Sequence, residues 1–250
     1  MASPFEYSAM EWAILGISAL IVGFSKTGMP GAGILSISLI ALVIPARAST
    51  GLILPMLIAG DIFAVAFYRR HADWKHLLLL MPWAFVGIII GYFALSHITD
   101  KELRPIIGTV ILVMLALNEL RALKKINNEE AIPTKHAFAA SMGITGGAVT
   151  MLANAAGPII AIYMLAMRLP KTIFVGTGAW YFLIMNCVKV PFSANLGLIS
   201  QSSLLLNLIL LPGIVIGALL GLLVLKSLPE KLFNRLVVIL AALSALKLIF

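Results

Sequence analysis

The sequence predicts an all-α, polytopic integral membrane protein, and its composition is the first observation that indicates this class. Hydrophobic residues make up 61% of the 250 residues, charged residues make up 11%, and the mean hydropathy is +1.07. Soluble domains carry about 25% charged residues, so this composition excludes a soluble domain. The apolar stretches lack the roughly ten-residue alternation of an outer-membrane barrel, so helices must satisfy the backbone in lipid.

An internal duplication is the second observation. Two blocks of the first half recur in the second half, one after 125 residues and the other after 130. Duplicated apolar chains are typical of secondary transporters, whose binding site lies between the repeats near the bilayer midplane. The first block is Pro45, Gly51, Asp61 and Phe67, which recur as Pro170, Gly176, Asn186 and Phe192; the second is Pro82, Gly87 and Gly91, which recur as Pro212, Gly217 and Gly221.

Ten apolar segments, five in each half, mark the predicted helices. The third and fourth segments of each half reach the roughly 20 residues that cross a bilayer. The first two segments of each half are shorter, and a helix of about 14 residues covers about 21 Å of the roughly 30 Å core. We therefore expect short, broken or re-entrant helices at the start of each half. In chain order the segments are 11–25, 31–44, 48–68, 76–97, 104–120, 137–152, 157–168, 172–193, 203–225 and 232–250.

Basic residues set the expected orientation. Lysine and arginine cluster in alternate connections, which the positive-inside rule places in the cytoplasm, so the net charge of +8 does not indicate nucleic-acid binding. Five segments per half is an odd number, so the halves must be inverted, with both termini outside. The predicted units are a first transmembrane repeat over 1–121, a cytoplasmic linker over 122–135 and a second repeat over 136–250. Glu6 and Glu11, with no basic residue before the first segment, argue against a cleaved signal peptide.

Glycine and proline interrupt the apolar pattern at matching places in the two halves, over 26–31 and 152–158. Irregular backbone at membrane depth is tolerated where protein buries it or where it lines a cavity. An interrupted helix also exposes N-terminal amides that carry about half a positive charge, which suits an anionic substrate. The alternative is that these residues only permit tight turns and close helix packing.

Four short motifs carry a family resemblance. In order and spacing they resemble the TauE/SafE sulfite exporter family over nearly the whole chain. The resemblance implies transport of sulfite, thiosulfate or organosulfonates across the bacterial inner membrane, usually as export. The run Lys-Thr-Gly-Met-Pro-Gly departs from the family's plain Gly-Gly-Gly, so the exact substrate stays open. The motifs are Ala153-Asn154-Ala155-Ala156-Gly157-Pro158, Phe174-Val175-Gly176-Thr177, Asn186-Cys187-Val188-Lys189-Val190-Pro191 and Gly23-Phe24-Ser25-Lys26-Thr27-Gly28-Met29-Pro30-Gly31.

Polar residues at membrane depth supply the candidate substrate site. Ionisable side chains there are costly and are functional candidates, and hydroxyl and amide groups add donors for a compact anion. Lys189 shares a helical face with Asn186, although its ammonium could instead extend to the nearby membrane interface. The candidate substrate-binding residues are Lys26, Thr27, Gly28, Pro30, Gly31, Asn154, Gly157, Pro158, Gly176, Thr177, Asn186 and Lys189.

Asp61 is a separate candidate, because it lies inside a long apolar segment with no short route to water. Its carboxylate could carry a coupling proton, or it could be the fixed partner of a lysine. Its repeat mate is Asn186, so the pseudo-two-fold axis of the repeats should relate a titratable residue to a neutral one.

The predicted function is a secondary transporter of small sulfur-containing anions that works by alternating access and is driven by ion gradients. The alternatives are a passive anion channel and, less favoured, an intramembrane enzyme, since Asp61 alone supplies no catalytic set. We expect no cofactor and no metal site, and we expect Cys187 to pack in an apolar run. Trp180 either lines the cavity or packs in the core. The expected partners are the anion and the lipid bilayer of the cell inner membrane, with a homodimer allowed and no nucleic acid.

Overall fold

The computed structural model describes residues 7–29, 32–44, 46–95 and 135–249, together with positions 109, 112 and 116. This part of the chain is helical and contains no strand. Apart from those three positions, the predicted segment 104–120 lies outside the described residues, as does nearly all of the linker. The helices are α1 (Ala9–Thr27), α2 (Gly33–Val43), α3 (Ala46–Tyr68), α4 (Trp74–Leu95), α5 (Lys135–Ala153), α6 (Gly157–Ala166), α7 (Lys171–Asn195), α8 (Gln201–Ser227) and α9 (Glu230–Ile249).

Five helices of the described part are long and apolar enough to cross a membrane: α1, α3 over Ala48–Tyr68, α4, α7 and α8. The second helix of each half is short, as predicted, with 11 residues in α2 and 10 in α6.

The first segment of each half is longer than predicted, with 19 residues each, and the expectation of a short helix is wrong for α1, which is long and apolar enough to cross a membrane. A capping box starts this helix at Ala9, because Ser8 and Glu11 satisfy each other's backbone amides. The helix then continues beyond Ser25, because the Lys26 ammonium has a buried partner and need not end it.

In each half, the fourth helix packs against the first helix of the other half. The fourth helix of the first half, α4, packs along α5, and the fourth helix of the second half, α8, packs along α1. The third helices, α3 and α7, pack against each other at the centre. One apolar cluster joins α1, α2 and α3 to α8, and a second joins α4 to α5, α6 and α7. The core is therefore built mainly between the halves.

Glycines make these helix contacts close, and their positions repeat. A side chain on Gly87 would collide with the backbone of Ile144, and one on Gly217 would collide with the backbone of Leu20. Gly217 follows Gly87 by 130 residues, and Ile144 follows Leu20 by 124 residues. The duplication seen in the sequence is therefore present as matching backbone contacts.

The α1–α8 contact can be tested with two glycines of the same helix. In Gly23→Ala the added methyl group would meet the backbone of Ile214 and Ala218, whereas in Gly16→Ala it would meet nothing within 4 Å. Overpacking costs about 1–3 kcal/mol, so we expect Gly23→Ala to lower the melting temperature by about 2–12 °C. Gly16→Ala should keep or raise it, because alanine is the better helix former. Equal melting temperatures in a detergent thermal-shift assay would contradict the close contact.

Candidate functional site

The helical conformation is interrupted after α5 at Asn154, a residue type that tolerates the backbone conformation found there. Asn154 has a φ of 54°, a left-handed conformation that asparagine tolerates better than most residues. Its side chain reaches back into the protein, where its Nδ2 donates to the Thr50 carbonyl of α3 at 3.2 Å. The turn ends at Gly157, where α6 begins.

A cavity lies between the two halves, next to this break. Its empty volume, counted together with the open space at its mouth, is about 750 Å³. Helices α1, α2 and α3 of the first half and α5, α6 and α7 of the second half all contribute to its wall. The charged and amide residues of the wall are Lys26, Asp61, Asn154 and Asn186, accompanied by the hydroxyls of Ser25 and Thr150. Much of the remaining wall is apolar, including Ile37, Leu57, Ile160, Met164, Phe174 and Phe182.

An ion pair forms part of the cavity wall. The Lys26 Nζ lies 2.8 Å from the Asp61 Oδ1, and the exposed fractions of the two side chains are 11% and 0%. The same ammonium lies 4.6 Å from the centre of the Phe182 ring, in cation–π geometry. Lys26 occupies the last turn of α1 and reaches the middle of α3 from there.

Asp61 and its repeat mate are in direct contact. The Asn186 Nδ2 donates to the Asp61 Oδ2 at 2.7 Å, so each carboxylate oxygen faces one donor. This contact joins the centres of α3 and α7, the two equivalent helices of the halves.

The Lys189 ammonium lies behind the wall and is surrounded by oxygen. It donates to the Asn154 Oδ1 at 2.6 Å and, at 3.0 Å, to the Asn186 Oδ1, the Thr150 carbonyl and the Thr150 Oγ1. Four acceptors for three N–H groups leave no donor to spare. The side chain is 1% exposed, so its ammonium does not extend to the membrane interface.

The helices that follow the two breaks start without a side-chain cap. Neither α2 nor α6 has a side chain bonded to its first amides. Gly33 of α2 lines the cavity, as do Gly157 and Pro158 of α6. The partial positive charge of both N-termini therefore lies on the wall of the cavity that Lys26 also lines.

Several predicted site residues lie away from the cavity, at helix contacts. The Thr27 hydroxyl donates to the Ala218 carbonyl of α8 at 2.6 Å, and Gly28 packs against Gly221. Gly176 and Thr177 hold the α3–α4 loop, where the Thr177 Oγ1 accepts from the Asp73 amide at 2.8 Å. Trp180 packs beside Trp74, with ring centres 5.2 Å apart. Pro30 and Gly31 lie outside the described residues.

Sequence reasoning missed Thr150, which borders the cavity and holds Lys189 through two of its oxygens. A signal existed. Gly23 and Gly33 recur 124 residues later as Gly147 and Gly157, and this spacing makes Thr150 the repeat mate of Lys26. Phe182 and Gly33 carried no comparable signal, because an aromatic residue or a glycine in an apolar segment is ordinary.

The described residues contain no group of three or more His, Cys, Asp or Glu side chains that could hold a metal ion. Chemically, the wall offers one partly accessible ammonium, amide groups and helix N-termini. This is a set of donors for an anion.

Comparison with known proteins identifies the family. A family model described as "Sulfite exporter TauE/SafE" matches residues 15–248, nearly the whole chain. No curated protein and no solved structure matches the chain. Members of the family are membrane exporters rather than enzymes, and the apolar helices described above agree with that. The chain therefore belongs to the TauE/SafE sulfite exporter family, as a multi-pass protein of the cell inner membrane that exports sulfite or a related anion.

Proposed function

We propose that the protein is a carrier for sulfite, thiosulfate or a small organosulfonate, and that the anion binds in the cavity between the halves. The observation that carries this proposal is the position of the Lys26 ammonium, which lies on the wall of a cavity that two uncapped helix N-termini also line. Charge-assisted hydrogen bonds from such groups are the contacts that oxyanions favour. Asn154, Asn186, Gly157 and Pro158 complete the proposed binding surface, and Lys189 acts through the amides that it holds.

Alternating access of two inverted repeats is the proposed mechanism. The repeats extend over 1–121 and 136–250 and are joined by the cytoplasmic linker 122–135. The helix pairs α4–α5 and α8–α1 have matching glycine contacts, which supports an arrangement of two equivalent structural units. A site at the junction of such units can face either side of the membrane in turn.

Counterflow tests the carrier. Proteoliposomes loaded with unlabelled sulfite or isethionate should take up the same labelled anion transiently against its concentration gradient, because a carrier exchanges bound substrates. Empty liposomes and liposomes holding a carrier of unrelated substrates serve as controls. Uptake that only equilibrates, without the transient excess, would identify a passive channel and contradict the proposal.

Inversion of the halves predicts opposite sides for two reporter positions. A reporter fused after Phe250 should be active in the periplasm, and one inserted in the linker 122–135 should be active in the cytoplasm, since the positive-inside rule orients the basic loops inward. Paired phosphatase and green fluorescent protein fusions give this measurement. A cytoplasmic C-terminus would refute the inverted arrangement.

We propose that Asp61 carries the coupling proton, and the substitution Asp61→Asn separates coupling from binding. The change copies the repeat mate Asn186 and keeps the shape of the side chain. Gradient-driven accumulation should be lost and substrate exchange kept, because exchange does not require the proton to be released. Both activities are measured on the same purified protein. If both survive in full, Asp61 has no part in coupling; if both fall together with thermal stability, its role is structural.

A further inference from the structure

The central polar network contains two basic side chains and one acidic side chain. It runs from Lys26 through Asp61 and Asn186 to Lys189, with each step between 2.7 and 3.0 Å. Among the charged side chains that the structure describes, these two lysines and one aspartate are the members of the network.

The hydrogen-bond pattern fits one charged form of each member. Lys189 faces four oxygens, an arrangement that an ammonium with three N–H groups satisfies better than a neutral amine. Both oxygens of Asp61 lie near donors, the Lys26 Nζ and the Asn186 Nδ2, an arrangement that suits an ionised carboxylate. The Asn186 amide is oriented between them, accepting from Lys189 and donating to Asp61. The network therefore carries a net charge of +1.

The unbalanced charge faces the cavity. A lone charge in a membrane interior is costly, and Lys189 cannot be reached because it is 1% exposed. Lys26 lies on the wall and has one described carboxylate contact for its three N–H groups. A ligand bound beside Lys26 therefore interacts electrostatically with the net charge of the whole network. One negative charge balances it, whereas two would leave a buried net charge of −1.

The apolar part of the cavity wall indicates the chemistry of the ligand beyond its charged group. Phe174, Phe182, Ile160 and Met164 line the cavity around the polar end. Apolar walls favour a carbon body over a second charged or hydrated group.

Resting on the proposed function and narrowing it against the dianion thiosulfate, we propose that Asp61 makes this site selective for anions of one negative charge that carry an apolar body, of which monosulfonates are the fitting class. Without Asp61 the two lysines would present a net charge of +2 and would suit a dianion. Asp61 thus acts as a specificity determinant, partly neutralising a site that would otherwise take doubly charged anions.

Two ligands with the same carbon body test the selectivity on the unmodified protein. Ethanesulfonate carries one charge, and ethane-1,2-disulfonate carries two. Calorimetric titration of the purified protein should show the monosulfonate binding at least about tenfold more tightly, since an unbalanced buried charge is costly. Butanesulfonate should bind more tightly than methanesulfonate. Equal or tighter binding of the disulfonate would overturn the inference and leave the carrier proposal standing, whereas no binding of any sulfonate or of sulfite would overturn both.

The variant Asp61→Asn assigns the selectivity to its residue. The ratio of the two dissociation constants should shift toward the disulfonate by about tenfold or more, because the network then carries a charge of +2. A well-folded variant with an unchanged ratio would overturn the role of Asp61. If the variant does not fold, the ligand pair on the unmodified protein still decides the charge selectivity.

Discussion

Replacing Lys189 with methionine is expected to lower the melting temperature of the purified protein by about 6–20 °C, a larger effect than for any surface lysine. Methionine keeps the unbranched chain but removes the ammonium that binds Thr150, Asn154 and Asn186. Removing one partner from a buried charged network costs about 3–5 kcal/mol, because the remaining polar groups are left without a partner. In a chain of this size each kcal/mol corresponds to about 2–4 °C.

Lys226→Met is the matched control for this prediction. It makes the same substitution at an exposed position in the last turn of α8, where the ammonium is solvated. Its melting temperature should stay close to that of the unmodified protein in the same detergent. Similar melting temperatures for the two variants would show that Lys189 does not organise the break between α5 and α6.

The positions of most helices followed from their apolar residues, because length and hydropathy decide which segments enter the membrane. The predicted segments 157–168 and 172–193 correspond closely to α6 and α7. The end of α1 was missed for a physical reason. A lysine inside an apolar run was interpreted as an interruption of the helix, because its pairing with Asp61, 35 residues later in the chain, is not visible in the local sequence.

The internal duplication predicted only part of the candidate site. The repeat spacing made Asp61 and Asn186 mates, and the structure brings their side chains into contact. Lys189 was a candidate for direct substrate contact. Three of its four acceptors belong to Thr150, which lies before the break between α5 and α6, and to Asn154, which lies at the break; the geometry of this break is not visible in the local sequence. The repeat spacing is 124 residues between α1 and α5 but 125 residues between α3 and α7. The spacing of 125 that the sequence analysis used therefore did not pair Lys26 with Thr150.

Replacing Lys26 with methionine is expected to weaken anion binding by roughly 10- to 150-fold, because one charge-assisted hydrogen bond to the anion is lost. The single variant will also be less stable, because Asp61 keeps its buried charge without its ion-pair partner. Binding and stability must therefore be separated before the lysine can be assigned as a ligand.

The double variant Lys26→Met/Asp61→Asn separates them. It removes both members of the ion pair, so the melting temperature should recover relative to Lys26→Met, since no unpaired carboxylate remains. Lys189 keeps the network at a net charge of +1, the same as in the unmodified protein. Any remaining loss of affinity is then due to the missing contact and not to a change in total charge. We expect titration with ethanesulfonate to show that affinity stays low while stability returns. Recovery of both would mean that Lys26 serves only as the partner of Asp61, and that the anion is held by the helix N-termini.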